Sequence, residues 1–305
     1  MNDDDLPSMF EELSNWSRWG AEDERGTLNF ITDSSTTRAV QLIHSGRTIS
    51  CGRPMRMRPS TIPLMPTMQV VHMMTVSGES MPSAGAGSAA DWLGFGVHGF
   101  ETTHIDSHAH MFWNRKMYNG RSAENVTADR GAIHGGVEPI SAGVFSRGVL
   151  VDGPTMREKP WLEPGDVLEP DELDTWYRQN GLEPRAGDIV YIRAGRDDWE
   201  GAGVEIDLTQ HAPGMSPNCL RWLRDAEVSI LASDVFHDPR PSSFTRGPIH
   251  TIGLVAMGLW LIDNAALCAL ARECKKERRM EFFSAVVPLA LRRATGSPVN
   301  PVVIF

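Results

Sequence analysis

The chain has 305 residues, of which 41% are apolar and 22% charged, the balance of a soluble globular protein. Its 29 basic and 39 acidic side chains give a formal charge of -10, which argues against a nucleic-acid partner because such a surface is basic. The longest apolar run, IGLVAMGLWLI, is too short to span a bilayer, and the acidic start MNDDDLPSMFEEL lacks the apolar segment of a signal peptide.

The first 50 residues are predicted to form a helical N-terminal extension. In it, ITDSSTTRAVQLIHSG has the polar start, periodic apolar face and final glycine of a helix. The next segment is rich in Met, Pro, Gly and Ser: MRPSTIPLMPTMQVVHMMTV could hold one or two strands, and SGESMPSAGAGSAADW has the composition of a flexible loop. The Met-rich run could form an adaptable wall of an apolar pocket or pack irregularly in the core.

The rest of the chain alternates between strand and helix patterns. SRGVLVDG, AGDIVYIRAG, VSILASD and MEFFSAVVPLAL are predicted as buried strands. EPDELDTWYRQNG and SPNCLRWLRDAE are predicted as helices, the second with Ser216 as N-cap and Pro217 in the first turn. HTIGLVAMGLWLIDNAALCALAREC fits a helix, or a strand followed by a helix. We therefore predict one α/β domain over residues 1–305, with a mixed, largely buried β-sheet flanked by helices.

A cluster of histidines lies in FETTHIDSHAHMFWNRKMYNG. His104, Asp106, His108 and His110 occupy alternate positions, so an extended strand would point all four side chains to one side. Imidazole and carboxylate groups in that arrangement suit zinc, manganese or iron. The alternative is a structural polar network, but a metal-binding or acid/base role is the better explanation for so dense a cluster.

The motif TTHIDSHAH resembles the signature of the metal-dependent cyclase family, which includes bacterial kynurenine formamidases and isatin hydrolases. That signature is roughly His-x-Gly-Thr-His-x-Asp-x-Pro-x-His, and Thr103, His104, Asp106 and His110 match it in place. RGVLVDG, GDIVYIRAG, APGMSPNCLRWLRDAEVSILASD and ATGSPVNPVVIF follow in the order expected of the family. The resemblance therefore covers most of the chain, from about Trp19 to the end.

The resemblance implies a role for five residues. His104 and Asp106 would coordinate a divalent metal, zinc or manganese, with one or two ions per chain. His110 would be the catalytic acid/base. His250 would be a further ligand, and Asp263 would stand where the family has a glutamate, although the spacing between these two is one residue longer than expected.

Two departures from the signature affect the predicted ligand set. The family's first ligand lies four residues before His104, where this chain has Phe100, which cannot bind a metal. His98 is the nearest substitute as a metal ligand, if a bulge turns it inward; otherwise it supports the site or is merely structural. His108 replaces the family's proline, and either adds a ligand or points away from the site; we favour the second.

Four other residues are candidates for contact with a substrate. Trp19 and Trp113 are predicted to line the substrate pocket, although ordinary aromatic packing would explain them equally well. Asp234 and His237 follow a predicted strand and could reach the same pocket. An aspartate at such a position more often caps a turn.

The predicted function is a metal-dependent hydrolase that cleaves or opens a small amide, lactam or lactone. A metal-activated water would attack the carbonyl, with His110 moving the proton. The alternatives are a metal-assisted cyclase or dehydratase, and a homologue that binds a small molecule without turnover. We expect a cytoplasmic protein with a small-molecule substrate and no membrane partner, and the resemblance implies a homodimer or homotetramer.

Overall fold

The structure, a computed structural model, describes residues 2–55, 70–81, 83–240 and 247–305. Most of the predicted Met-rich pocket wall, residues 56–69, lies outside the described residues. The α-helices are α1 (Leu6–Leu13), α2 (Asp33–Val40), α3 (Gly153–Met156), α4 (Pro170–Gln179), α5 (Arg196–Gly201), α6 (Cys219–Asp225), α7 (Pro248–His250), which continues into a π-helix (Thr251–Met257), and α8 (Cys268–Glu277). Short 3-10 turns occupy Asp3–Asp5, Gly26–Phe30, Gly78–Ser80, Tyr118–Gly120, Ala123–Asn125 and Glu138–Ile140.

One nine-stranded sheet organises the described part of the chain. The strands are β1 (Thr48–Ser50), β2 (Val71–Val76), β3 (Ala90–Gly94), β4 (His104–Asp106), β5 (Val126–Thr127), β6 (Gly131–Ala132), β7 (Val144–Asp152), β8 (Val167–Leu168), β9 (Ile189–Arg193), β10 (Gly214–Met215), β11 (Ile230–Ser233), β12 (Trp260–Asp263), β13 (Glu281–Val286), β14 (Gly296–Pro298) and β15 (Val302–Ile304). The order in the large sheet is β1-β15-β13-β7-β9-β11-β12-β4-β14. Strands β7, β9, β11 and β12 are parallel, and the strands on both sides of them are antiparallel.

The central strands are buried on both faces, as their continuous apolar sequences predict. In β9, Ile189 and Tyr191 pack into one apolar cluster, and Val190 and Ile192 pack into another on the opposite face. Helix α4 covers one of these faces with Leu173, Trp176 and Tyr177, three residues spaced for one side of a helix. The predicted α/β fold, with a mixed and largely buried sheet flanked by helices, is therefore confirmed.

The structure differs from the predicted elements in four places. The N-terminal segment predicted as helical ends in strand β1 of the large sheet. The run HTIGLVAMGLWLIDNAALCALAREC, predicted as a helix or as a strand followed by a helix, forms a π-helix, strand β12 and helix α8. Helix α6 begins at Cys219 with Asn218 as its N-cap, and not with Ser216 as predicted. Ser216 caps the turn before the helix instead, where its Oγ accepts the Asn218 N–H (3.4 Å) and its carbonyl oxygen accepts the Cys219 N–H. The end of the predicted flexible loop, ADW, lies in β3, which pairs with β2 in an antiparallel hairpin. Within the described ranges, no helix has the length and apolar character needed to cross a membrane.

Candidate metal centre

Strands β4 and β12 bring the first three polar side chains together. Asp263 pairs directly opposite His104 across the two antiparallel strands, and Leu261 pairs with Asp106. His104 and Asp106 share one face of β4, as their alternate positions predict, while Ile105 packs into the apolar core on the other face. Candidate ligand atoms of His104, Asp106 and Asp263 all lie within 4.8 Å of one another.

A second segment delivers His250 to the same point. His250 ends α7, and Asp238 accepts hydrogen bonds from the backbone N–H of Ile249 (2.7 Å) and of His250 (3.2 Å). The Asp238 carboxylate also accepts from His250 Nδ1 at 2.7 Å, so the Nε2 of His250 is turned towards Asp263 (3.2 Å) and Asp106 (3.7 Å). A carboxylate that holds the far nitrogen of an imidazole is typical of metal-bound histidines.

His237 follows β11 and contacts Asp263. Because β11 and β12 are parallel, their carboxyl ends meet at the same edge of the sheet, and His237 Nε2 lies 3.2 Å from Asp263 Oδ1. The candidate metal centre is therefore made of His104, Asp106, His237, His250 and Asp263. Each of these five side chains is at most 6% exposed.

His98 and His110 form an outer pair beside the candidate metal centre. Their rings stack at 3.7 Å with an interplanar angle of 11°, and their side chains keep 19% and 25% exposure. His98 makes hydrogen bonds through both nitrogens, to Asp106 Oδ1 (2.8 Å) and Thr295 Oγ1 (2.9 Å). His110 Nε2 lies 4.0 Å from Asp106 Oδ2, and suitable atoms of His98, Asp106 and His110 form a second group within 4.8 Å.

The candidate metal centre fits a divalent cation in three respects. Among the described residues, the buried Asp106 Oδ2 and Asp263 Oδ1 have no hydrogen-bond partner, although buried carboxylate oxygens are costly to leave unpaired. Imidazole and carboxylate groups suit zinc or manganese in donor type, and two carboxylates balance the charge of a divalent ion. His104, like His250, has its far nitrogen fixed, since His104 Nδ1 donates to the backbone oxygen of Thr102 at 2.8 Å.

The electrostatics divide the histidines into two kinds. Burial alone would lower the pKa of His104, but the Asp106 carboxylate outweighs it and raises the pKa to about 9. Burial also opposes the charged form of His250, yet Asp263 and Asp238 hold its pKa well above the usual value. For His237 burial wins and lowers the pKa, and it lowers the pKa of His110 to about 4. His237 and His110 are therefore neutral at pH 7, with a lone pair to offer.

The two residues that depart from the family signature, His108 and Phe100, make different contacts in the structure. His108 is buried between Tyr118 and Trp260, and its Nε2 lies 2.9 Å from the backbone oxygen of Gly258, so it points away from the candidate metal centre. It can do so because β4 ends at Asp106 and a turn follows. Phe100 packs edge-on against Phe236, in an apolar contact.

The two tryptophans predicted to line the substrate pocket make aromatic contacts in the structure. Trp19 lies against Phe30, with Arg18 over its ring, and Trp113 stacks on Phe10 at 5.8 Å. A role of either residue in substrate binding stays a prediction.

Asp234 has a structural role. Its carboxylate accepts the backbone N–H groups of Ala194, Gly195 and Arg196 at the start of α5, as an aspartate that caps a turn would.

Asp238 and Thr295 were not found from the sequence. Neither lies in the histidine motif. Asp238 reaches the site through His250, 12 residues further along the chain, and Thr295 reaches it through His98. The position of His237 after a buried parallel strand was the usable signal, because ligands of α/β sheets gather at the carboxyl ends of strands.

Comparisons with known proteins agree with this architecture. The family model named Cyclase matches residues 57–237. A novel cyclase of known structure aligns with 24% identity and a TM-score of 0.85, over 96% of this chain and all of the other. An isatin hydrolase bound to the product analogue thioisatinate aligns with 18% identity and a TM-score of 0.61, over 90% and 98% of the two chains.

A protein described as a predicted metal-dependent hydrolase, from Bacillus stearothermophilus, is a more distant structural relative. It aligns with 14% identity and a TM-score of 0.52, over 84% of this chain and 97% of the other. A search of curated protein sequences found no match. At these identities the structural likeness establishes a shared fold. Since the family model covers more than half of the chain, the protein belongs to the cyclase family.

Proposed function

We propose that this protein is a metal-dependent hydrolase that cleaves or opens a small amide, lactam or lactone. The observation that carries the proposal is the pair of buried carboxylate oxygens, Asp106 Oδ2 and Asp263 Oδ1, that lack a hydrogen-bond partner among the described residues while three imidazoles surround them. A divalent cation satisfies both oxygens and matches the donor set.

The candidate metal centre would hold the cation through His104, Asp106, His250 and Asp263. When bound, the cation would polarise a substrate carbonyl and lower the pKa of a coordinated water. The hydrogen bonds of His104 to Thr102 and of His250 to Asp238 keep the two Nε2 atoms directed at the carboxylates. These contacts organise the site before any ligand arrives.

His110 is suited to move the proton. Its ring is neutral at pH 7 because burial lowers its pKa, and its Nε2 lies near Asp106 Oδ2 at the partly exposed side of the site. His110 Nε2 would take a proton from the attacking water and return it to the leaving nitrogen or oxygen. Stacking on His98, which is itself fixed by Asp106 and Thr295, holds the ring in place.

The exposure pattern favours a small substrate. His98 and His110 reach solvent with 19% and 25% of their side chains, whereas the candidate metal centre is almost fully buried. A scissile carbonyl would therefore approach past the outer pair, which a small molecule does most easily. Structural relatives that are named hydrolases support the same chemistry.

The test is a panel of aryl formamides, lactams and lactones with zinc- or manganese-loaded protein. We expect at least one to be hydrolysed, and His110→Gln to lower kcat by about 100-fold or more while the metal content stays unchanged. His44→Gln, at an exposed histidine, is the control. A cyclised or dehydrated product would instead support the cyclase or dehydratase alternative. If no compound is turned over while one raises the melting temperature, the protein is a binding homologue.

A further inference from the structure

His237 is the histidine of the candidate metal centre whose environment is least complete. It is 1% exposed, and among the described residues neither of its ring nitrogens has a hydrogen-bond partner. Its Nε2 approaches Asp263 Oδ1 to 3.2 Å, yet the angle does not make a hydrogen bond, and that oxygen is also without a partner in the described part of the chain. Two unpaired polar atoms thus lie side by side inside the protein.

This spacing is the one expected between two ligands of the same ion. Zinc holds its nitrogen and oxygen ligands at about 2.0–2.1 Å, so two tetrahedral ligand atoms lie about 3.3 Å apart. His237 Nε2 and Asp263 Oδ1 are 3.2 Å apart, as are His250 Nε2 and Asp263 Oδ2.

The alternative donor, His98, is less available. Its two nitrogens are both engaged, with Asp106 Oδ1 and Thr295 Oγ1, and its ring is stacked on His110. Phe100, at the signature position of the first ligand, packs against Phe236, the residue that immediately precedes His237. At the signature position the chain therefore has the aromatic contact of Phe100. On the adjoining loop it has the imidazole of His237, which lacks a hydrogen-bond partner among the described residues.

We propose that His237 Nε2 is a metal ligand, supplied from the loop after β11 in place of the one lost at Phe100. The proposal rests on the proposed function in that it requires a cation at this site. It changes the ligand set to three imidazoles, from His104, His237 and His250, and the two carboxylates.

The test is titration of Co²⁺ into metal-free protein, followed by visible absorption and by the melting temperature with and without the ion. The wild type, His237→Ala, the closer mimic His237→Gln, and the exposed-site control His44→Ala are compared. We expect both His237 variants to bind Co²⁺ about 100-fold more weakly or worse, with a changed visible band, while the control matches the wild type. The melting temperature of the metal-free variants should stay close to that of the wild type, since His237 has no hydrogen bond to lose among the described residues.

The outcomes separate this proposal from the proposed function. If the wild type binds Co²⁺ and both His237 variants bind it equally well with the same spectrum, His237 is not a ligand and the hydrolase proposal stands. If the variants lose melting temperature without metal yet keep their affinity, the role of His237 is structural and the proposal is overturned. If the wild type itself binds no Co²⁺, both proposals fall.

Discussion

The candidate metal centre and a second buried cluster lie at the same edge of the sheet but neutralise their carboxylates differently. In the second, here called the arginine cluster, Arg193 donates to Asp152 and Asp198, and the oxygens of Asp152 are completed by Thr155. Asp234, beside it, is saturated by backbone N–H groups. Every carboxylate of this cluster therefore has donors from the protein itself.

In the candidate metal centre, not every carboxylate oxygen has a donor from the described part of the protein. Its carboxylates face imidazoles, which can be neutral, whereas the guanidinium of an arginine is always charged. Among the described residues, one oxygen of Asp106 and one of Asp263 remain without a donor. The comparison indicates that the carboxylates of the arginine cluster are neutralised from within the protein, and that the candidate metal centre is built for a cation from outside.

The largest expected effect comes from breaking the arginine cluster. Arg193→Met would leave the buried Asp152 and the part-buried Asp198 without their cation, and the free energy of unfolding should fall by about 3–5 kcal/mol. Denaturant unfolding of the metal-free protein measures it, with the exposed Arg178→Met as a control that should change stability by no more than about 0.5 kcal/mol. Metal content should be unaffected. A fall in the unfolding free energy of less than about 1 kcal/mol would contradict the structural role of the arginine cluster, and a loss of bound metal would contradict its separation from the candidate metal centre.

Another buried carboxylate, that of Asp188, tests how close an arginine must lie to keep a buried aspartate ionised. Asp188 lies 3.5 Å from Arg147, and burial still outweighs this contact and raises the pKa of Asp188 from 3.8 to about 6. The folded state therefore binds the proton more tightly than the unfolded state, so this group stabilises the fold at low pH and loses that contribution as pH rises from about 4 to 6.

Asp188→Asn should abolish this dependence. The difference in unfolding free energy between variant and wild type should shift in favour of the variant by up to about 3 kcal/mol between pH 4 and 7. Denaturant unfolding across that range measures the slope, which is independent of any constant loss from the missing Arg147 contact. A difference that stays flat with pH would show that Arg147 neutralises Asp188 as fully as Arg193 neutralises its partners.

The smallest effect is expected at the outer pair. His98→Ala removes a hydrogen bond that positions Asp106 without removing a ligand, so metal affinity should weaken by about tenfold, or about 1.4 kcal/mol. Competition with a metal-chelating dye measures it. A loss as large as that from removing Asp106 would make His98 a ligand, as the sequence predicts, and would place the metal nearer the surface.

The parts of the site that could be predicted from sequence are those set by local geometry. His104 and Asp106 share a face because strand alternation places them there, and β12 brings Asp263 opposite through strand pairing. The choice between His98 and His237 could not be made, because it depends on which strand ends meet at one edge of the sheet. Asp238 escaped notice for the same reason, since its contact with the distal histidine is tertiary.

Metal content per chain tests the central claim most directly. The protein is purified without added metal or chelator and measured by elemental analysis beside Asp106→Ala, which removes the carboxylate shared by both candidate ligand groups. The account predicts one or two divalent ions per wild-type chain and none in the variant. A wild-type protein that holds no metal, even after incubation with zinc and manganese, would contradict it.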